Sequence, residues 1–210
     1  MSCRVVVLLS GRGSNFQAIV DAALPIEIVA VISNRPQAAG LDYARAHGLA
    51  TIALDHTTQP DREAFDALLA DEVERHRPDL VVLAGYMRIL SAAFIARFEG
   101  RLLNIHPSLL PMFPGLNTHE RALAEGVKVH GCTVHFVTAD LDHGPIAIQA
   151  AVPVRADDTP ATLAARVLQQ EHRIYPQAIR WFAAGRLEID QGRVNLKGDL
   201  TSQSVLSTET

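Results

Sequence analysis

Apolar residues in the first hundred positions fall into short continuous runs, separated by stretches in which they recur at helical spacing. Residues 5–9 (VVVLL) form an unbroken run, which predicts a strand buried on both faces. Phe16, Ile19, Val20 and Ala23 then mark a helix that Pro25 closes. Ile26–Ser33 (IEIVAVIS) predicts a second strand, 38–47 a helix stopped by Gly48, and 50–54 a short third strand. The segment 62–76 carries Phe65, Leu68, Leu69 and Val73 on one helical face, and 80–84 (LVVLA) is the strongest buried strand. Strand and helix alternate throughout, which predicts a parallel, twisted sheet with helices on both faces. Ligands gather at the carboxyl ends of such strands.

Leu102–His106 predicts a further strand, stopped by Pro107, and a loop with three prolines leads into a short helix over 119–125. The alternation in 130–138 (HGCTVHFVT) predicts a mixed sheet from there on. A polar turn over 139–145, a strand over 146–154 and a long amphipathic helix over 160–184, interrupted by Pro176, come next. Residues 186–189 and 193–196 flank Gln191-Gly192 and predict a small hairpin. The expectation is an α/β, Rossmann-like fold with a mostly parallel sheet of about seven strands and a mixed C-terminal part. A single domain is expected over 1–197, with a Ser/Thr-rich, disordered tail over 198–210.

Composition narrows the partners. The 210 residues are 48% hydrophobic and 20% charged, with a net charge of −4 and no basic run, which argues against nucleic-acid binding. The apolar run at 5–9 is too short for a signal-peptide core or a membrane span, so no membrane partner is expected. Cys3 and Cys132 have neither metal nor redox spacing, and both are expected to be reduced and buried in a cytoplasmic protein.

Several stretches carry candidate chemistry. Ser10-Gly11-Arg12-Gly13-Ser14-Asn15 follows the first strand and opens the first helix, so its backbone amides suit either a tight structural turn or a phosphate. Phe16 stands where a dinucleotide fingerprint needs its third glycine, and no Gly-Lys-Ser/Thr follows as in a Walker loop. Gly85 to Leu90 follows the fourth strand; Met87, Ile89 and Leu90 suit either an apolar slot for a flat ring or a helix start packed on the core. Asn104 and His106 are two apart on one strand and so share a face. An amide donor beside an imidazole suits chemistry at a carbonyl, with Asp142 as the carboxylate that orients the imidazole and supports its charge. No serine or cysteine sits in a nucleophile elbow, and His130 and His135 are five apart in a strand. No metal is expected. The chemistry implied is direct attack by a substrate's own nucleophile on a carbonyl carbon.

The runs LLNIHPSLLPMFPG, HGCTVHFVTADLDHGPI and AGYMRIL, with SGRGSN and the EHRIYP helix, closely resemble the folate-dependent formyltransferases from residue 5 to about 187. Within that family they are most similar to the member that formylates glycinamide ribonucleotide in purine (IMP) synthesis. The resemblance implies 10-formyltetrahydrofolate as co-substrate. It places Asn104, His106 and Asp142 at the catalytic positions, with a tetrahedral adduct held by Asn104 and protonated His106. It implies that Gly11, Arg12, Gly13, Ser14 and Asn15 cradle the ribose phosphate and that Glu171 holds the ribose hydroxyls. Folate contacts would come from Arg62, Met87, Arg88, Ile89, Leu90, Asn104, Asp140 and Asp142, with Thr133 and His135 supporting the cleft.

Two positions depart from the family pattern: Asn117 stands where a histidine is usual, and Met112 where a lysine is frequent. Relatives that formylate methionyl-tRNA add a C-terminal domain, and those that hydrolyse 10-formyltetrahydrofolate add an N-terminal one; neither is expected here. A phosphate-binding module without catalysis would have no use for Asn104, His106 and Asp142 together. Family members occur as monomers and homodimers, and the sequence leaves that choice open.

Overall fold

The computed structural model describes residues 2–198 and 203–207. Its contacts divide the chain into two compact units: Met1–Asn104 with Val137–Ala139, and Ile105–Phe136 with Asp140–Thr210.

The first unit alternates strand and helix: β1 (Cys3–Leu9), α1 (Ser14–Asp21), β2 (Ile26–Ser33), α2 (Ala39–Ala46), β3 (Thr51–Ala53), α3 (Arg62–Arg75), β4 (Leu80–Leu83) and α4 (Ala92–Arg97). The strand order is β4-β1-β2-β3, and every pairing among these is parallel. Val5, Val6, Val7, Leu8 and Leu9 have no exposed surface, as expected of a strand covered on both faces. Asp61 caps α3 by accepting the Ala64 amide. Phe65, Leu69 and Val73 face the core, but Leu68, expected with them, is exposed. At about 100° per residue the buried arc of α3 runs from Phe65 through Leu69, Val73 and Asp66 to Ala70, and Leu68 falls outside it.

The strand β5 (Leu102–His106) pairs in parallel with β4, setting Asn104 opposite Leu83. In the second unit, β6 (Val129–Phe136) and β7 (Ile146–Pro153) are antiparallel, which gives the expected mixed C-terminal part. Helix α6 (Pro160–Ala183) packs on both and starts from a capping box between Thr159 and Thr162. It runs through Pro176 without the expected interruption. Leu163, Val167, Ile174, Tyr175, Ala178, Ile179 and Trp181 all bury along it, so packing on one sheet face outweighs the backbone bond a proline lacks. The short helix α5 (Thr118–Ala124) and the hairpin of β8 (Leu187–Asp190) and β9 (Arg193–Leu196) match their expected places.

Within the stretch read as a disordered tail, Ser204–Leu206 form β10, parallel to β7; residues 199–202 and 208–210 lie outside the described residues. Counting β5, eight strands belong to the mostly parallel, Rossmann-like arrangement, against about seven expected. Cys132 is buried as expected, whereas Cys3 is only partly so, and both are free thiols. No described helix is long and apolar enough to cross a membrane.

Candidate active site

His106 ends β5 and is almost buried. Alternation along the strand places it on the face that also carries Asn104. Its Nε2 lies 2.9 Å from the Phe113 carbonyl, and its Nδ1 lies 3.4 Å from Oδ2 of Asp142. Both ring nitrogens therefore face acceptors. A neutral imidazole has one N–H and would set a lone pair against one of these oxygens; only the imidazolium donates to both. The two side chains are 7% and 8% exposed, so water screens the pair weakly.

Asp142 is held from two further sides. The Gly115 amide donates to its Oδ2 at 2.8 Å, and its Oδ1 lies 3.8 Å from Nε2 of His135. The Asp142 backbone is left-handed, with φ of 55°, a conformation Asp tolerates better than most residues. His135 has its Nδ1 3.0 Å from the Phe136 carbonyl, and burial is the main cause lowering its pKa. Its ring is thus the neutral neighbour of the pair. An irregularity in the β6–β7 register falls between Val134 and His135, where a bulge re-aims side chains.

The loop from Pro107 to Asn117 is braced by hydroxyls. Ser108 donates to the Met112 carbonyl at 2.6 Å and Thr118 to the Pro107 carbonyl at 2.7 Å. Thr133, expected to line the cleft, is fully buried; its hydroxyl donates to the Ser108 carbonyl and accepts from the Leu110 amide and the Gln149 side chain. It supports the loop from beneath. The two departures lie on the same loop: Met112 is exposed, and Asn117 is left-handed at the start of α5, with φ of 56°. Below the loop His119 and His130 pack edge to face, their ring centroids 5.3 Å apart. Burial depresses both pKa values, that of His130 to about 4.

Glu171 is buried on α6, and its charge helps burial raise the Cys132 thiol pKa. Asp140 is exposed in the turn before Asp142, with its carbonyl accepting the His143 amide.

The first unit supplies two loops that are tied together. The Ser10 hydroxyl donates to Oδ1 of Asn34 at 2.5 Å and accepts the Met87 amide at 2.8 Å, while the Ser10 amide donates to the Gly85 carbonyl. One serine thus fixes the glycine loop against the turn after β4. Gly13 takes φ of 73° and precedes α1, whose first residues are Ser14 and Asn15. Gly11 and Arg12 are exposed, and the Gly11 carbonyl accepts the Gly40 amide.

Met87 and Ile89 are 64% and 56% exposed, whereas Leu90 is buried. This stretch is a loop presenting apolar side chains, not the start of a core helix. Arg88 stacks its guanidinium 4.9 Å from the Phe65 ring centroid. Arg62 is the first residue of α3, half-exposed and paired with Glu63 at 2.9 Å. Among the described residues no group of three or more His, Cys, Asp or Glu side chains is placed to hold a metal.

The structure therefore gathers His106, Asp142 and His135 in one unit and the glycine loop with Met87 in the other. The Phe113 carbonyl, the Gly115 amide and the His119–His130 pair were missed in the sequence. The first two are backbone groups, which residue types do not announce.

A formyl transferase family model matches residues 3–179. The chain belongs to the formyl transferase family. A phosphoribosylglycinamide formyltransferase of Escherichia coli is 52% identical over 198 residues, spanning 92% of this chain and 93% of that one. A trifunctional purine biosynthetic protein adenosine-3 of Bos taurus is 47% identical over 91% of this chain, which covers 19% of that longer protein. The crystal structure of glycinamide ribonucleotide transformylase 1 from Symbiobacterium toebii is similar with a TM-score of 0.91 at 51% identity, covering 93% of this chain and 94% of that one.

Proposed function

We propose that this formyl transferase moves the formyl group of 10-formyltetrahydrofolate to the amine of glycinamide ribonucleotide, in purine synthesis. The observation that carries the mechanism is the nearly buried His106–Asp142 pair at the end of β5, two residues beyond Asn104. The free amine attacks the formyl carbon, and the carbonyl electron pair becomes an oxyanion. Asn104 donates to that oxyanion, and the nearby positive charge of the His106 imidazolium stabilises it. The C–N bond to the folate then breaks and its electron pair returns to the folate nitrogen. The proton lost by the attacking amine passes to that nitrogen, with Asp142 and a water as the relay. No covalent enzyme intermediate is needed.

In this reading the Gly11–Asn15 loop receives the ribose phosphate on backbone amides at the start of α1, with Arg12 adding charge. Glu171 holds the ribose hydroxyls. Met87, Arg88, Ile89 and Leu90 offer backbone and apolar surface to the pterin, joined by Asp140, and Arg62 meets the folate's carboxylate end. Thr133 and His135 keep the catalytic loop and Asp142 in place. Partners are small molecules, the compartment is the cytoplasm, and the scheme serves a monomer or a homodimer alike.

The test is tetrahydrofolate release from 10-formyltetrahydrofolate by purified protein, with and without glycinamide ribonucleotide. Release that requires the ribonucleotide is the expected result. Release of equal rate without it would replace transfer by hydrolysis, and no release in either condition would remove the reading.

A further inference from the structure

The groups that hold His106 and Asp142 are themselves backbone atoms of one short turn: the Phe113 carbonyl on His106 and the Gly115 amide on Asp142. Within that turn Phe113 packs edge to face on His130, its ring centroid 5.8 Å away. Phe113, Gly115 and Asn117 all adopt left-handed backbone, with φ of 54°, 78° and 56°. Such conformations cost on the order of 1 kcal/mol or more for residues with a Cβ, and they persist where surroundings fix them. The flanking Met112 and Leu116 side chains are exposed, so apolar burial on either side of Phe113 adds little to this fixing.

Arg121, one turn into α5, reaches back over this segment. Its Nη1 donates to the Pro114 carbonyl at 2.5 Å and to the Leu116 carbonyl at 3.4 Å. Its guanidinium carbon stands 5.5 Å from the Phe113 ring centroid. Its own backbone is anchored where the helix begins, the Arg121 amide donating to the Asn117 carbonyl at 3.0 Å. One side chain thus contacts the residue before Gly115, the residue after it, and the ring of the residue whose carbonyl receives His106.

We infer that Arg121 is a positioning residue for formyl transfer: its guanidinium braces the Phe113–Gly115 turn, and through it the Nε2 proton of His106 and the orientation of Asp142. It touches neither substrate nor reacting atoms. The inference rests on the catalytic roles proposed above for His106 and Asp142. The one nitrogen that meets both carbonyls belongs to a planar guanidinium set over a ring, and a flexible lysine ammonium reproduces the charge but not that placement.

Two variants and two readouts test this. In Arg121→Ala the turn loosens, and kcat should fall by about tenfold, because small displacements of catalytic groups are costly, while KM for both substrates stays within about twofold. Arg121→Lys should remain nearly as slow. An unchanged kcat in Arg121→Ala, full recovery in Arg121→Lys, or an effect confined to KM would overturn the brace, the last two pointing to simple charge attraction.

The second readout is the ¹⁵N–¹H signal of His106 in the ligand-free protein. The Nε2 proton, shielded from exchange by the Phe113 carbonyl in the parent, should exchange faster in both variants. An unaltered signal would also overturn the inference. This readout needs no turnover, so it reports on the brace even if the parent protein proves to transfer no formyl group, an outcome that would instead remove the functional reading.

Discussion

Oδ2 of Asp142 lies 3.4 Å from Nδ1 of His106. With Nε2 of the same ring directed at the Phe113 carbonyl, the carboxylate is the partner that makes a second ring proton useful. Asp142→Asn keeps the shape but loses the charge: Gly115 and Nδ1 of His106 meet the same oxygen, Oδ2, so an amide oxygen there keeps both contacts without the carboxylate's support for an imidazolium. The expected outcome is a kcat lower by about 10²- to 10⁴-fold, the range general acid–base and oxyanion donors supply. Folate binding, measured by fluorescence titration, should change far less. Near-parental turnover in Asp142→Asn would sink the assignment.

Acid should weaken the second unit. The pKa of His130 is depressed from 6.5 to about 4, chiefly by burial and then by His119, and those of His119 and His135 are also lowered chiefly by burial. A depressed histidine binds fewer protons folded than unfolded. Its stability contribution is therefore complete above pH 6.5 and is lost as pH falls below it, for His130 down to about 4, at up to about 1.4 kcal/mol per pH unit. Urea midpoints between pH 7.5 and 4.5 should fall. In His130→Phe, which keeps a ring against Phe113 and His119, the slope should flatten by about one proton. An equal slope in parent and variant would refute the linkage.

Thr133 offers a stability test that leaves the reacting groups untouched. Its hydroxyl satisfies the Ser108 carbonyl, the Leu110 amide and part of Gln149, in a site with no exposed surface. Thr133→Val fills the same volume with a methyl and leaves those partners unmet, at an expected cost of about 2–4 kcal/mol. Thr133→Ser should recover most of it. Denaturant unfolding that shows no loss in Thr133→Val would mean that the loop is held elsewhere.

These cases show where sequence reasoning carries and where it stops. Runs such as 5–9 and 80–84 announced buried parallel strands because both faces of such strands must be apolar, and the spacing of Asn104 and His106 fixed a shared face once the strand was known. Asp142 could be paired with His106 by residue type, but the Phe113 carbonyl and Gly115 amide that meet them are main-chain atoms, which no residue pattern encodes. Pro176 misled because a local rule about helices was applied where the packing of a 24-residue helix prevails. β10 was missed for the opposite reason: Ser204, Val205 and Leu206 form a three-residue strand with little periodicity, held by an existing edge of β7.

The glycine loop gives the sharpest separation of binding from chemistry. Gly13 sits at φ of 73°, and a Cβ there would come within 3.3 Å of Leu9 and 3.4 Å of the Gly40 backbone. Gly13→Ala should therefore shift the loop, since a left-handed alanine costs about 1–2 kcal/mol and the neighbouring backbone has little room to give. If the loop receives the ribose phosphate, KM for glycinamide ribonucleotide should rise by about tenfold for a displacement worth 1.4 kcal/mol of binding, with KM for the folate nearly unchanged. Ser10→Ala should behave differently, because Ser10 ties this loop to the Met87 amide; there both KM values should rise. Steady-state kinetics on the two variants distinguish the effects. A folate-only effect in Gly13→Ala would show that the loop serves the other substrate, and no effect in either variant would reduce it to a structural turn.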